Sequence, residues 1–147
     1  MKSQLSPQKN ELIQLLNDVL SDEQAAAIQY YQGANCLLSW IALSADEFIT
    51  HGDEEAGHAK ELREHLDYLG GYITTMTAEI TTSDINIETL KLMYKAEINA
   101  ITKYKNLVRF CRESGFYETE YLALRILKDE VHHATYLKNI IGNEGVI

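Results

Sequence analysis

One proline in 147 residues, at position 7, is the strongest constraint on how this chain can fold. Proline fixes φ and removes a backbone donor, so it breaks helix interiors and central strands. Ser6-Pro7 reads as a helix N-cap followed by the first helical position, where a missing N–H costs nothing. Beyond it no residue forces a break, and apolar residues recur at helical spacing. Leu12, Leu16, Leu20, Ala27, Tyr30 and Tyr31 predict a first helix over about 7–34. Gly33-Ala34-Asn35 marks a break, and a second helix follows over about 38–69, stopped by Gly70-Gly71. The stretch YITTMTAEITT after it is rich in Thr and has no helical stripe. Ser83, Asp84 and Asn86 are candidate N-caps for a third helix over about 86–113, ended by Ser114-Gly115. A fourth runs over about 117–141 and stops at Gly142.

Four long helices in one domain spanning 1–147 make an all-α four-helix bundle. Two links are short, so the first and second helices, and the third and fourth, form antiparallel hairpins. The middle link has about 14 residues and reaches roughly 46 Å at ~3.3 Å per residue. That is enough to run beside a helix of about 28 residues at 1.5 Å rise, where a tight turn would need about 2–8 residues. The order is therefore up-down-down-up, with a long crossover between the second and third helices.

Charge and composition remove several kinds of function. The 13 Lys+Arg against 22 Asp+Glu leave a net charge of −9, the wrong sign for a nucleic-acid footprint. Cys36 and Cys111 form neither a disulfide framework nor a Cys-x-x-Cys metal knuckle, and read most simply as buried apolar residues. The opening MKSQLSPQKN has no apolar segment of a secretory signal, and no apolar run approaches the ~20 residues that span a bilayer. A reduced, cytoplasmic chain with no nucleic-acid or membrane partner is expected.

Acids on apolar stripes carry the chemistry. Glu23 lies seven residues after Leu16 and seven before Tyr30, on their face of the helix. Glu97 stands likewise between Leu90 and Tyr104. Glu55 and His58 line up with Phe48, Leu62 and Leu69, and Glu130 and His133 with Leu127, Leu137 and Ile140. A buried carboxylate without a partner is costly. Four glutamates and two histidines in one core need a shared compensating charge, and two divalent metal ions supply it. Nitrogen and oxygen donors without sulfur suit iron or manganese better than a closed zinc site. The pattern is also duplicated. Glu23 to Glu97 and Tyr30 to Tyr104 are 74 residues apart, while Glu55 to Glu130 and His58 to His133 are 75. One hairpin repeated twice builds a two-fold symmetric di-metal core.

These residues resemble the ferritin-like di-iron carboxylate proteins, bacterioferritin in particular. The likeness covers nearly the whole chain and includes LNDVLSDEQAAAIQYY, EEAGHAKELREHLDYLGG and LKDEVHHATYL. It implies a di-iron ferroxidase centre on Glu23, Glu55, His58, Glu97, Glu130 and His133, with Glu55 and Glu130 as bridges. It implies that Tyr30, beside the centre, is an electron donor. Three positions depart from the family. The methionine that ligates haem between bacterioferritin subunits is replaced by Ala56, so no haem is expected. The family's Asp four residues before the third-helix ligand is Met93, which leaves one histidine to be oriented differently. The sequence after Gly142 is too short for the fifth helix of 24-subunit cages, which raises a 12-subunit Dps-like cage or a smaller oligomer.

Other residues have plainer readings. His132 points about 100° away from His133, a surface or interface position. His65 and Glu61 form an exposed pair, and Asp53 and Glu54 a solvated charged face. His51, seven before His58, leaves a role over the cluster open. Trp40 belongs to the core or a dimer interface. The expected function is iron storage: Fe(II) is oxidised with dioxygen or hydrogen peroxide, and Fe(III) is stored in a cage of dimers. The alternative is a non-storage di-iron or di-manganese redox enzyme such as a rubrerythrin-like peroxidase.

Overall fold

The computed structural model, which describes residues 5–36 and 45–144, begins its first helix at the Ser6-Pro7 pair. The Ser6 hydroxyl accepts the Lys9 N–H at 3.2 Å, capping α1 (Pro7–Cys36). The remaining helices are α2 (Ala45–Leu69), α3 (Asn86–Ser114) and α4 (Tyr117–Glu144). None of the four is long and apolar enough to cross a membrane.

Several boundaries differ from expectation. No break occurs at Gly33-Ala34-Asn35: Gly33 and Ala34 are buried and α1 runs on to Cys36. Cys36 itself is exposed, so only Cys111 is the buried apolar thiol expected, and burial pushes its pKa up to about 12. The expected start of the second helix at 38, and Trp40, lie outside the described residues. Ile85, in extended conformation and without a side-chain cap, precedes α3; the Ser83 hydroxyl instead accepts the Ile85 N–H at 3.1 Å. Gly142 does not stop α4. Among the described residues only Gly70 and Gly115 have positive φ, at 74° and 79°, and these are the glycines that end helices.

The crossover is a strap held to α1 by side chains. Buried Asn17 donates to the Tyr72 carbonyl at 2.9 Å and accepts the Thr74 N–H at 2.7 Å. Gln24 donates to the Met76 carbonyl at 2.8 Å and Gln29 to the Thr81 carbonyl at 3.1 Å. Strap and α1 numbers rise together, so the strap runs parallel to α1. It delivers α3 to the C-terminal end of α1, antiparallel to it. The result is the up-down-down-up bundle, with α1 packed on α2 and α3, and α4 on α3 and α2.

Burial divides the interior into three zones. One apolar cluster gathers Leu12, Leu16, Leu20, Leu62, Leu66 and Leu107 toward the start of α1. A smaller one holds Tyr30, Phe48, Leu90, Met93, Leu137 and Ile140 toward its end. Between them lie the buried acids and histidines.

Candidate metal centre

Each helix sends acid or imidazole into the middle zone: α1 Glu23, α2 Glu55 and His58, α3 Glu97, and α4 Glu130 and His133. None is more than 6% exposed. Their donor atoms fall into two groups whose members all lie within 4.8 Å of one another. One is Glu23, Glu55, His58 and Glu130; the other is Glu55, Glu97, Glu130 and His133. Glu55 and Glu130 belong to both, which leaves Glu23 with His58 on one side and Glu97 with His133 on the other.

The donor separations lie within a few tenths of an ångström of those around a single ion, except that of His133 and Glu55, which is shorter. His58 Nδ1 is 3.5 Å from Glu23 Oε2 and 3.4 Å from Glu130 Oε1. His133 Nδ1 is 3.7 Å from both Glu97 Oε1 and Glu130 Oε1 and abuts Glu55 Oε1. Two donors each about 2.1 Å from one metal are about 3.0–3.4 Å apart. The orphaned atoms point the same way. Glu23 Oε2, both Glu55 oxygens, Glu97 Oε2, Glu130 Oε1 and the two histidine Nδ1 atoms are buried without a hydrogen bond of proper geometry. Buried polar atoms are rarely left so. These residues therefore fit two metal ions, with Nδ1 of each imidazole as donor.

Without metal the cluster is electrostatically crowded. Burial, reinforced by the Glu23 charge, holds the Glu55 and Glu130 carboxyls well above their ordinary range. Burial also raises Glu97. Burial alone would raise Glu23 as well, but the close approach of Glu55 and His58 and the hydrogen bond from Tyr104 bring it below its usual value. Burial would lower His58, yet the Glu130, Glu23 and Glu55 carboxylates close to its Nδ1 raise it strongly.

Around this cluster lie contacts that the sequence did not announce. His58 Nε2 faces Asp129 Oδ2 at 2.9 Å, and His133 Nε2 faces Glu54 Oε2 at 2.5 Å. Glu54, though exposed, is thus not merely part of a solvated face: its carboxylate faces the outer nitrogen of His133. Asp129 was missed, although it stands 75 residues after Glu54, the offset of the two Glu-x-x-His motifs. Tyr30 donates to Glu97 Oε1 at 2.7 Å, and Tyr104 donates to Glu23 Oε1 at 2.5 Å. Burial, then the nearby carboxylates, raises both phenols well above their usual range, so both remain donors.

The remaining histidines differ in place. His51 lies over the His133 side, with ring centroids 4.6 Å from His133 and 5.4 Å from Tyr30. Burial and the neighbouring His133 lower its pKa to about 4. It also brings a donor atom within 4.8 Å of Glu54 and His133. His132 is exposed, as expected. His65 is not paired with Glu61: it is half-buried against Thr119 Oγ1 at 2.6 Å, while Glu61 accepts from Arg125 at 2.9 Å. Asp53 accepts from Tyr31 at 2.7 Å. A cavity of about 510 Å³ opens between α1, α3 and the strap, lined at depth by Glu23, Tyr30, Glu97 and Glu130.

Residues 13–145 match the model of the ferritin-like domain. A bacterial ferritin of Neisseria meningitidis serogroup B is 28% identical over 129 residues, covering 86% of this chain and 84% of that protein. A ferritin-like di-iron carboxylate protein of Bacillus anthracis superposes with a TM-score of 0.86 at 24% identity, covering 93% of this chain and 99% of the other. A Rhodobacter capsulatus bacterioferritin, described with a metal-free dinuclear site and haem iron, superposes at 0.84 with 24% identity, covering 90% and 84%.

Proposed function

The chain belongs to the ferritin-like family, and on that premise we propose that it is a ferroxidase that stores iron. Two irons bind to Glu23, Glu55, His58, Glu97, Glu130 and His133, and Fe(II) is oxidised to Fe(III) with dioxygen or hydrogen peroxide as acceptor. The observation that carries this reading is the sharing of buried Glu55 and Glu130 between two four-residue groups. It supports bridging by those two carboxylates, with Glu23 and His58 closing one side and Glu97 and His133 the other. Iron bound there supplies one-electron redox chemistry, and hard carboxylate donors favour the ferric state.

The chain's own residues do the rest. Binding a cation displaces the protons that burial and crowding leave on Glu55 and Glu130 and that the surrounding carboxylates hold on His58. Asp129 and Glu54 fix the two imidazoles so that Nδ1 is the donor. Tyr30 is the electron donor beside the centre: its electron goes to the oxidant and its proton to Glu97 Oε1, already 2.7 Å away. The same donors fit Mn(II). Ala56, exposed on α2, offers no thioether, so no haem is held there. Ferric product passes to a mineral inside a cytoplasmic cage built from dimers.

The 510 Å³ cavity beside the cluster supports the second reading, a non-storage di-iron or di-manganese redox enzyme such as a rubrerythrin-like peroxidase, because it has room for a small reactant. Stopped-flow Fe(II) oxidation tests the centre. Glu23→Ala and Glu130→Ala are expected to lose at least about 90% of the fast phase, a loss of transition-state stabilisation above about 1.4 kcal/mol; undiminished oxidation in both overturns the assignment. Light scattering after iron loading in air separates the readings. A multi-subunit particle holding hundreds of irons is expected, and a small oligomer that keeps two metals per chain and forms no mineral supports the enzyme.

A further inference from the structure

We propose that Tyr104 is a positioning residue for one metal ion only, the ion on the His58 side of the cluster. The proposal rests on reading the cluster as a two-metal centre. Glu23 and Glu97 are the two acids that belong to a single group each. Each is held by a tyrosine from the other half of the duplicated chain. Tyr104 on α3 donates to Glu23 Oε1 on α1, and Tyr30 on α1 donates to Glu97 Oε1 on α3. Each tyrosine follows its own helix's glutamate by seven residues, two turns along one face. The bonds are therefore reciprocal and cross the bundle.

Each bond occupies one oxygen and leaves the other for metal. Oε2 of Glu23 and Oε2 of Glu97 are both buried without a hydrogen bond. Glu23 Oε2 is also the atom 3.5 Å from His58 Nδ1. On Glu97 the oxygen that faces His133 Nδ1, at 3.7 Å, is instead the phenol-held Oε1, so the hydroxyl frees the histidine-facing oxygen on the Glu23 side alone. A carboxylate free to rotate can turn either oxygen, or both, toward an ion. One whose Oε1 is held by a phenol presents Oε2 alone, in one direction. Pre-setting a ligand in this way removes the ordering cost that metal binding would otherwise carry.

The surroundings of the two phenols separate their roles. Tyr30 has the Phe48, His51 and His133 rings within 6 Å and lines the cavity. Tyr104 lies in the aliphatic cluster with Leu12, Leu16 and Leu107, and no aromatic pairing reaches it among the described residues. An electron removed from Tyr104 has no aromatic neighbour to replace it. What its hydroxyl does is hold Glu23.

Crystals of wild type, Tyr104→Phe and Tyr30→Phe, loaded with Co(II) without oxygen, test this by anomalous scattering, which resolves the two positions without turnover. Phe keeps the ring that fills the core; Tyr104→Leu provides a second hydroxyl-free variant if that packing fails. Wild type should fill both positions. Tyr104→Phe should weaken the His58-side ion roughly ten-fold, as loss of a hydrogen bond to a charged group implies, and leave the His133-side ion unchanged. Tyr30→Phe should leave the His58-side ion unchanged. Equal occupancies in wild type and Tyr104→Phe, or equal losses on both sides, overturn the positioning role while the two-metal reading stands. A wild-type chain with neither position filled overturns both.

Discussion

Toward the start of α1 the bundle is packed with leucine; toward its end the packing is aromatic and polar. In the first region Leu12, Leu16, Leu20 and Leu66 are fully buried, and Tyr104 is the buried aromatic ring among them, with Phe110 and Phe116 packed against the cluster from its edge. In the second, Tyr30, Phe48, His51, His133 and Tyr136 meet edge to face or tilted, with His132 and Glu54 exposed beside them. The candidate centre lies between. One side gives it a rigid aliphatic support, and the other a polar aromatic wall that reaches solvent. A symmetric sequence repeat has thus produced an asymmetric setting for two nearly equivalent groups of candidate ligands.

The largest effect should come from emptying the aliphatic end. Leu66→Ala removes a fully buried side chain and should cost about 4 kcal/mol, lowering Tm by on the order of 10 °C. Ile140→Ala at the other end, 9% exposed, should cost about 2 kcal/mol because its site can partly collapse. Equal losses in thermal unfolding would break the comparison.

A smaller effect belongs to the middle zone. The metal-free fold holds protons on Glu55 and Glu130 that the unfolded chain has released above its ordinary carboxyl value of 4.5. The stability from those protons is complete below 4.5 and is lost as pH rises through the higher folded values. His58 acts the same way: burial opposes its charge but the surrounding glutamates raise it, so its contribution falls as pH climbs above 6.5. Glu23, lowered, acts only below 4.5 and outside this window. Metal-free Tm should therefore rise by on the order of 5 °C from about pH 8 to about pH 6. Metal-loaded protein should show the reverse, since protons compete for the ligands. The metal-free trend should persist in Leu66→Ala and largely vanish in Glu55→Gln/Glu130→Gln. A trend unchanged in that double variant would place its source elsewhere.

The smallest effects sharpen the contrast between rigid and yielding walls. A Cβ at Gly71 would sit 2.8 Å from Ile13 Cγ1, and Ile13 is only 3% exposed. Gly71→Ala should cost about 1–2 kcal/mol through overpacking. A Cβ at Gly52 would sit 2.6 Å from the Tyr31 ring, which is 36% exposed and can swing outward. There the helix gain of about 0.5–1 kcal/mol for Gly→Ala should leave Gly52→Ala near neutral. Denaturant midpoints that rank the two the other way would contradict this account of the walls.

Helices and the inward-facing residues were legible because both follow from periodicity. Glu23 and Glu97 stand on apolar stripes, and the two Glu-x-x-His motifs repeat at 75 residues. Contacts across helices were less legible, since they depend on rotamers and helix rotation that one-dimensional spacing does not encode. The bonds from Tyr104 to Glu23 and from His58 to Asp129 are of this kind. The repeat held a partial signal for Asp129, because an acid precedes each Glu-x-x-His glutamate. Gly142 misled because a glycine stops a helix by adopting positive φ, and this one does not adopt it.

Anaerobic calorimetric titration of the metal-free chain with Fe(II) tests the two-metal centre most directly. The account predicts saturation at two ions per chain, and loss of tight binding when Glu55 and Glu130 are both changed to Ala. Saturation at no ion or at one, or undiminished binding by that double variant, would contradict it.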